Sequence, residues 1–390
     1  MNSPNTEIQR FSILSVELEP THYKTDMWNA AVGSGLMDVR AIYTQSKNWS
    51  PDGGHNYLRF PLAEYTYVVV SGRGLLGALQ ATCRVLKDIL SLSSDAVLVC
   101  GYSHIPTACA LIVASLRRRP FFLFVDEFNN KRPAGKFRAI KWIAREVLRK
   151  FCFRYAEVVL VCGRRGRESA VKAGCPPEKI RNFPYVVDVR RILTDRPADV
   201  PVGCLRDVAE SAPVLFFSGR MIERKGLPSL LLALSKKEVG RNWVLWVEGA
   251  GPELANYVAL AHEYGLESNC RFLGFCQYDL HSWLIRSADI VIVPSLEDNW
   301  GIVVDEGLQL RKTVISSDAT GSGYDRITDG LNGYLFPAGD SEALAAVLVL
   351  LLSEEQRNAK VGKASGEHRR YVTPADNLQT LLEILRHQVQ

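Results

Sequence analysis

Short apolar runs alternate with longer amphipathic stretches along most of the chain. Runs rich in Val, Ile, Leu and Phe are typical of buried strands, whereas apolar positions that recur every three to four residues are typical of helices. Their alternation predicts repeated βα units, which form parallel sheets. In the first half, the pattern predicts strands at residues 11–18, 39–44, 66–70, 96–100, 121–125 and 158–162.

A second series follows, with strands predicted at 214–217, 243–247, 271–275, 290–293 and 313–316 and helices beginning near 227, 253, 280, 302, 342 and 375. Between the two series, residues 194–212 break the pattern with Pro, Asp and Gly, and we interpret them as a linker. The strands of both series are continuously apolar, so helices should cover both faces of each sheet.

The sequence therefore predicts an α/β protein with two Rossmann-like, doubly wound domains that face each other across a cleft. The first domain would span residues 1–193 and the second 213–372. A C-terminal helix at 373–390 would pack back on the first domain. Ligands of such sheets bind beyond the carboxyl ends of the strands, so the loops after the strands hold the functional candidates.

Composition narrows the class of protein. A chain of 390 residues, 47% of them hydrophobic, can bury two substantial cores. Its nine cysteines show no CxxC or zinc-ligand spacing, which favours reduced thiols over a disulfide framework. The N-terminus lacks the pattern of a secretory signal, and the longest apolar run, 344–352, is too short to span a bilayer. We therefore expect a cytoplasmic protein, with contact to the inner face of a membrane left open.

The stretch FFSGRMIERKGLPSL, residues 216–230, combines a strand end with basic side chains. Gly219 lets a ligand approach the backbone, and Arg220, Arg224 and Lys225 offer donors to phosphate just before a helix begins. A solvated basic loop explains the same residues equally well.

Two further stretches are strand-to-helix turns. VEGAGPELANY, residues 247–257, lacks the third glycine of the dinucleotide-binding fingerprint. TGSGYDRITDGLNG, residues 320–333, is flexible enough to hold a phosphate. Each is interpreted by itself as a tight turn.

The stretch SLEDNWGIVVDEGLQ, residues 295–309, carries four carboxylates between a buried strand and an apolar helix. Asp298 would lie in the loop and Glu306 on the early part of the helix, where both could accept hydrogen bonds from ligand hydroxyls. Ordinary acidity at a helix start explains Glu297 and Asp298 as well, and it explains Glu306 less well. We interpret Glu297 and Asp305 as solvent-facing or capping groups.

Together and in this order, these motifs resemble the C-terminal domain of retaining glycosyltransferase family 4, also called glycosyl transferases group 1, which has the GT-B fold. The resemblance is dense over about residues 213–340, and the combined pattern is specific although its parts are not. The matching residues are Gly219-Arg220, Lys225-Gly226, Glu248-Gly249, Gly251-Pro252, Phe272-Leu273-Gly274, Pro294-Ser295, Asp298, Trp300-Gly301, Glu306, Gly323 and Asn332-Gly333.

The resemblance implies transfer of a sugar from a nucleotide-sugar with retention of anomeric configuration, without a metal or other cofactor. It implies that Arg220 and Lys225 hold the diphosphate, Glu306 the ribose and Asp298 the donor sugar. Further donor-binding positions would be Gly219, Gly249, Gly274, Phe275, Asn299, Trp300, Gly301 and Ile302. The backbone at Gly274 and Phe275 would face the base, and the loop from Trp300 to Ile302 the donor sugar.

One position departs from the family pattern. The family usually carries two glutamates with seven residues between them, and here the Trp300-Gly301 step sets the register so that Asp298 takes the first place. Asp is one methylene shorter than Glu, so its reach to the donor hydroxyls differs. The departure leaves the donor sugar open, but not the class of protein.

The first half resembles the family more loosely, as expected if acceptors differ among members. The acceptor-side candidates are Tyr23 and Lys24 after the first strand, His104 after the fourth and Asp126 after the fifth. A buried structural histidine and a helix-capping aspartate remain alternatives for His104 and Asp126.

Residues 131–154 contain nine Lys or Arg and one Glu, interleaved with apolar and aromatic side chains. A basic amphipathic helix of this kind can lie on an anionic membrane surface. A helix packed on the sheet with a solvated cationic face fits equally. Nucleic-acid binding is disfavoured, because no binding module is recognisable and the net charge is +5.

The leading hypothesis is thus a glycosyltransferase that moves a sugar from a nucleotide-sugar to a saccharide or lipid-linked acceptor, in bacterial-type cell-surface glycan synthesis. A GT-B nucleotide-sugar epimerase is one alternative, and it would act on the donor alone. A two-lobed sugar-binding protein without catalysis is another, and it would not need Arg220 with Lys225.

Overall fold

A computed structural model describes residues 9–44, 63–70, 74–128, 136–188, 190, 212–353 and 372–389, with the backbone alone at 136–141. The described residues fall into two compact units. Unit 1 holds those between 9 and 186 together with 372–389, and unit 2 holds those between 187 and 353. Most of the predicted linker, residues 194–211, lies outside the described residues.

Unit 1 is built on a parallel sheet of seven strands. The strands are β1 (Phe11–Glu17), β2 (Met37–Tyr43), β3 (Thr66–Val69), β4 (Ala96–Cys100), β5 (Phe121–Val125), β6 (Val158–Val161) and β7 (Ile180–Asn182). Their spatial order is β3-β2-β1-β4-β5-β6-β7. All five residues of β4 are buried, as a central strand covered on both faces requires.

Helices connect most of the successive strands of this sheet. They are α1 (His22–Gly33), α2 (Gly74–Ser91), α3 (Ile105–Leu116), α4 (Lys136–Tyr155) and α5 (Gly163–Lys172). Val85 of α2 and Leu111 of α3 lie in the same core cluster as Val97 and Val99 of β4. The helices thus bury their apolar stripes on the sheet, which is the expected role of βαβ connections.

Unit 2 repeats this arrangement with a parallel sheet of six strands. The strands are β8 (Val214–Ser218), β9 (Val244–Glu248), β10 (Cys270–Gly274), β11 (Ile290–Val293), β12 (Thr313–Ser317) and β13 (Tyr334–Phe336), and their order is β10-β9-β8-β11-β12-β13. Its helices are α6 (Leu227–Ser235), α7 (Leu254–Glu263), α8 (Tyr278–Ser287), α9 (Ile302–Gln309), α10 (Gly321–Arg326) and α11 (Ser341–Leu352).

Successive residues of the central strands point to opposite faces of this sheet. Phe216 lies in one core cluster and Phe217 in the other, and Val291 and Ile292 divide in the same way. This alternation is the period of two that a strand imposes on its side chains. Helices cover both faces, so both sets of side chains are apolar.

The last described helix, α12 (Pro374–Val389), belongs to unit 1 and packs against α1. The side-chain amide of Asn377 donates to the carbonyl oxygen of Pro184 at 2.8 Å, and Leu381 and Leu385 are buried. Within the parts of the chain that the structure describes, no helix is both long and apolar enough to cross a membrane.

The predicted fold class, two Rossmann-like parallel sheets, is confirmed, and every predicted strand is present within two residues of its predicted ends. Among the short elements of the described residues that were not predicted are β7, β13 and α10, of three, three and six residues. Such short segments do not complete enough periods for a pattern to register.

Candidate functional site

The sheet of unit 2 has a topological switch point between β8 and β11. From β8 the chain continues to β9 on one side, whereas β11 lies on the other side. Ligands of open parallel sheets bind outside the carboxyl ends of the strands at such a point. The two loops concerned are residues 219–226 after β8 and 294–301 after β11. Most of the residues predicted to bind the donor lie in these loops.

The two loops are joined by an ion pair. The ammonium nitrogen of Lys225 lies 2.5 Å from Oδ2 of Asp298, and both side chains are largely buried. The guanidinium of Arg224 donates to the carbonyl oxygen of Glu297 at 3.1 Å and reaches within 3.9 Å of Asp298. A predicted phosphate-binding cation and a predicted sugar-binding carboxylate are thus brought into direct contact.

A glycine makes this contact possible. Gly226 has φ 70° and ψ 15°, in the left-handed region, between the short 3-10 helix Glu223–Lys225 and α6. A Cβ atom on Gly226 would lie 1.9 Å from the carbonyl oxygen of Pro294. The backbones of the two loops therefore touch at a distance that a side chain would forbid. The backbone N–H of Leu296 also donates to the carbonyl oxygen of Arg224, at 2.8 Å.

Three predicted glycines lie side by side at the carboxyl ends of β8, β9 and β10. The N–H of Gly219 donates to the carbonyl oxygen of Glu248 at 3.1 Å, and the N–H of Gly249 donates to that of Gly274 at 2.8 Å. A Cβ atom on Gly249 would lie 1.8 Å from the carbonyl oxygen of Gly219. A row of glycine backbone permits close approach of a ligand. The half-buried Arg220 and Phe275 directly follow the two outer glycines of this row.

Residues of α10 contact the backbone of the loop at 299–301, which precedes α9. The hydroxyl of Ser322 donates to the carbonyl oxygens of Trp300 and Gly301, at 2.5 and 2.7 Å. A Cβ atom on Gly321 would lie 2.1 Å from the carbonyl oxygen of Asn299. The small residues of the TGSG stretch therefore support the loop at 299–301, in which Asn299 is exposed and Gly301 is half-buried. Ile302, the first residue of α9, is also half-buried.

Asp305 is not the solvent-facing or capping group that we expected; that interpretation was wrong. It is 3% exposed, and its carboxylate accepts from Nε1 of Trp300 at 2.7 Å and from Nε of Arg326 at 3.1 Å. Burial raises the pKa of Asp305 to about 6, although Arg326 and Trp300 act in the opposite direction. The guanidinium of Arg326 also lies over the ring of Trp300, at 5.2 Å. Asp305 thus fixes the orientation of Trp300, whereas Glu297 is exposed as expected.

Glu306 belongs to a buried cluster that sequence reasoning missed. Its Oε2 lies 3.0 Å from Nε2 of His281 on α8, and Nδ1 of His281 lies 2.6 Å from Oε2 of Glu248 at the end of β9. Burial acts to lower the pKa of His281, but the charges of Glu248 and Glu306 outweigh it and raise that pKa well above its ordinary value. The one sequence signal was a charged residue, Glu248, that ends an otherwise apolar strand.

Unit 1 has its own switch point, between β1 and β4, and there the structure places Lys24. The ammonium nitrogen of Lys24 lies 2.9 Å from Oε2 of Glu17, which is fully buried and also accepts from Trp28 and Ser15. Burial acts to lower the pKa of Lys24, but Cys100 and Glu17 outweigh it and raise that pKa well above its ordinary value. Lys24 and Glu17 line a small cavity with Cys100, Phe124 and Tyr185, which has room for only about one or two water molecules.

Tyr23 also lines this cavity, Asp126 contacts one of its lining residues, and His104 stands apart. The ring of Tyr23 lies 4.2 Å from that of Tyr185, whose hydroxyl donates to Asp126. Burial, followed by the charge of Asp126, raises the pKa of Tyr185 well above its ordinary value. His104 is exposed at the residue before α3 and does not line the cavity. Over the described ranges, no group of three or more His, Cys, Asp or Glu is placed to hold a metal ion.

Comparison with solved structures identifies the fold. The chain superposes on the crystal structure of HepE from Anabaena in complex with UDP-glucose with a TM-score of 0.75, at 16% identity and over 97% of this chain and 100% of that one. At this identity the likeness establishes the fold alone, and the fold is that of the GT-B glycosyltransferases.

Sequence comparison points to the same class over part of the chain. Residues 206–368, less than half of the chain, are similar to the family model described as Glycosyl transferases group 1. The expectation from the motifs is confirmed at the level of this family.

Two curated relatives show how far the similarity extends. The lipopolysaccharide core biosynthesis glycosyltransferase LpsE of Rhizobium meliloti is 28% identical over 47% of this chain and 48% of its own length. The phosphatidyl-myo-inositol mannosyltransferase of Mycobacterium leprae is 34% identical over 44% of this chain and 49% of its own length. The chain thus spans about half the length of the curated relatives it matches.

Proposed function

We propose that this chain is a retaining glycosyltransferase that transfers a sugar from a nucleotide-sugar to a saccharide or lipid-linked acceptor in cell-surface glycan synthesis. The observation that carries the proposal is the contact between Lys225 and Asp298 at the switch point of unit 2, beside the glycine row at the strand ends. A cation, a carboxylate and open backbone at one point suit a ligand that has both phosphates and sugar hydroxyls.

In this proposal the diphosphate is bound by Arg220 and Lys225, and the nucleotide ribose by Glu306. The base lies along Gly274 and Phe275, and the donor sugar lies against Asp298 and the loop at 299–302. Glycine without a side chain allows the pyrophosphate to approach the backbone at Gly219 and Gly249. UDP and UDP-glucose are bound by HepE, which shares the fold, and this supports a nucleotide-sugar donor for the present chain.

The chemistry follows from the charges that these residues supply. As the bond between the anomeric carbon and the diphosphate oxygen breaks, negative charge develops on the leaving group, and the cations of Lys225 and Arg220 stabilise it. The acceptor oxygen forms its bond to the same carbon from the departing side, and its proton passes to the diphosphate. Configuration is then retained without an enzyme nucleophile. The two cations supply the charge that a metal ion would otherwise provide, so we expect transfer to continue in EDTA.

The acceptor would be bound by unit 1. Tyr23 and Lys24 line the cavity at the switch point between β1 and β4. Asp126 accepts from Tyr185 of the same cavity, and His104 lies on the loop after β4. The named activities of the two relatives support a lipopolysaccharide-type or lipid-linked acceptor.

Helix α4 supports contact with an anionic membrane surface. Ile143 and Val147 are 52% and 64% exposed, and the exposed Lys150 and Arg154 follow at spacings that continue the same helix face. Apolar and basic groups on one exposed face are the pattern of helices that lie at the membrane interface. The predicted basic stretch 131–154 begins before the described residues resume at 136.

The decisive experiment is a product assay against a panel of nucleotide-sugars and acceptors, with the anomeric configuration of the product determined by NMR. We expect the transferred sugar to have the same anomeric configuration in the product as in the donor. We also expect Lys225→Ala or Glu306→Ala to abolish product formation. An inverted product would overturn the retaining mechanism. Conversion of the donor in the absence of acceptor would favour an epimerase. Tight sugar binding without turnover would favour a binding protein.

Membrane contact is tested separately by sedimentation with vesicles of phosphatidylcholine and phosphatidylglycerol. We expect the wild type to bind in proportion to the anionic lipid, and Ile143→Glu with Val147→Glu to reduce that binding. Val171→Glu, at another exposed valine of unit 1, is the matched control. Equal binding by all variants would exclude α4 as the contact.

A further inference from the structure

His281 connects two carboxylates from different elements of unit 2. Its Nδ1 lies 2.6 Å from Oε2 of Glu248 at the end of β9, and its Nε2 lies 3.0 Å from Oε2 of Glu306 on α9. The three residues are 8%, 6% and 1% exposed. The rings of Tyr278 and Phe216 lie 5.8 and 5.9 Å from the imidazole.

The geometry of this cluster suits a cation in the middle. Burial removes the hydration of both carboxylates, and a positive group between them stabilises them. With a charged imidazolium, both ring nitrogens donate, one to each carboxylate. The raised pKa of His281 agrees with this arrangement.

The cluster also restricts the geometry of Glu306. A glutamate side chain has several rotatable bonds, and one strong hydrogen bond to a ring that is itself held by Glu248 selects one orientation of the carboxylate. An ionised carboxylate has about four acceptor positions, so the bond to His281 fixes the group without exhausting its capacity. Asp305, the neighbouring carboxylate on α9, is held in a comparable way by Arg326.

We propose that His281 is a positioning residue, which orients the carboxylate of Glu306 to accept hydrogen bonds from the two hydroxyls of a nucleotide ribose. Glu248 is the second fixed point that holds the imidazole ring. The inference rests on the proposed function, in which Glu306 binds the ribose of the donor. His281 contacts the carboxylate and not the reacting atoms.

The test compares binding of the ribo and the 2′,3′-dideoxy forms of UDP, GDP and ADP by calorimetry, so it does not depend on sugar transfer. For the nucleotide that binds the wild type most tightly, we expect the dideoxy form to bind at least about tenfold more weakly, because a charged hydrogen bond contributes about that much. In His281→Leu this ratio should fall towards one. His262→Leu, at an exposed histidine of the same unit, should keep the wild-type ratio.

A double-mutant comparison separates positioning from a merely structural role. If His281 acts through Glu306, then adding His281→Leu to Glu306→Gln should not change the ratio further. A structural role would weaken both nucleotide forms equally and leave the ratio at its wild-type value. If His281→Leu does not fold, Glu248→Leu carries the test, because it keeps the imidazole but removes the acceptor that anchors its Nδ1. A wild-type ratio in that variant would overturn the inference.

Two outcomes identify which assignment fails. If the wild type binds a nucleotide and Glu306→Gln loses the preference for ribose while His281→Leu keeps it, the role of His281 is overturned and the ribose assignment stands. If the wild type binds none of the nucleotides, the donor class of the proposed function is overturned, and the inference falls with it.

Discussion

The ammonium nitrogen of Lys225 lies 2.5 Å from a carboxylate oxygen of Asp298, although 73 residues separate the two in the sequence. The contact joins the loop after β8 to the loop after β11, at the topological switch point of the sheet of unit 2. A diphosphate that binds Lys225 would compete with Asp298 for the same ammonium, so donor binding would free the carboxylate for the sugar. The two side chains therefore act as a unit in the proposed reaction.

The first prediction concerns this pair. We expect Lys225→Ala to lower kcat/KM for transfer by about 10²–10³-fold, the usual effect of removing one group that stabilises developing charge. Lys225→Arg keeps the charge and should lose less. Asp298→Asn should alter the preference among donor sugars more than the affinity for the nucleotide diphosphate. Initial rates with each donor measure all three effects.

A control separates this site from general loss of charge. Lys236 forms an ion pair with the exposed Glu342 on the surface of the same unit. Lys236→Ala should therefore leave the rate within about twofold of wild type. Equal losses in Lys225→Ala and Lys236→Ala would remove Lys225 from the proposed mechanism.

The second prediction concerns Gly226. Gly226→Ala should destabilise unit 2 by more than about 3 kcal/mol, because the new Cβ would overlap the carbonyl oxygen of Pro294 at 1.9 Å. Gly265 also has positive φ, at 63°, but a Cβ there meets nothing within 4 Å. Gly265→Ala should cost about 1–2 kcal/mol, the strain of the left-handed region alone. Thermal melting of both variants measures the difference, and similar melting temperatures would show that the loops can separate.

The sequence predicted the strands of both sheets because each is a continuous apolar run, and a buried strand between two layers of helices needs no other signal. It also predicted Lys225 and Asp298 as site residues, since a basic loop and an acidic loop each follow a strand. It did not predict that the two would touch, because that depends on the order of strands in the sheet. His281 was missed for a different reason. It occupies a buried position of a helix where an apolar residue would be expected, so the pattern itself does not single it out. Its two carboxylate partners lie 33 and 25 residues away in the sequence.

The third prediction concerns the pH dependence of Asp305. Burial raises the pKa of Asp305 to about 6 in the folded state. The protonated carboxyl group therefore stabilises the folded state, fully so below the ordinary pKa of aspartate. That contribution is lost as the pH rises through about 6. Asn at this position does not titrate. The stability of the wild type relative to Asp305→Asn should therefore fall by roughly 1 kcal/mol between pH 5 and pH 8.

Thermal melting of both proteins at the two pH values measures this change, which corresponds to about 2–4 °C for a unit of this size. Asp279→Asn, at an exposed position on α8, is the control, and its difference from wild type should stay constant. A constant difference for Asp305→Asn as well would show that Arg326 keeps Asp305 ionised throughout.

The fourth prediction concerns the buried pair of Lys24 and Glu17 in unit 1. Lys24→Met preserves length but leaves the fully buried carboxylate of Glu17 without its cation, so we expect a loss of about 3–5 kcal/mol in the stability of unit 1. The double variant Lys24→Met with Glu17→Gln should recover part of this loss, because no buried charge remains. Arg10→Met, which breaks an exposed ion pair with Asp38 in the same unit, should cost less than about 1 kcal/mol.

The contribution of Lys24 to stability changes at alkaline pH, whereas that of Asp305 changes near pH 6. The pKa of Lys24 is raised in the folded state, so its contribution is complete below the ordinary pKa of lysine and is lost only as the pH rises through the higher folded value. The difference in melting temperature between wild type and the double variant should accordingly stay constant from pH 6 to pH 9, because the double variant has no titrating group at either position. If the double variant were no more stable than Lys24→Met, the loss would come from packing around the lysine stem rather than from the unpaired charge of Glu17.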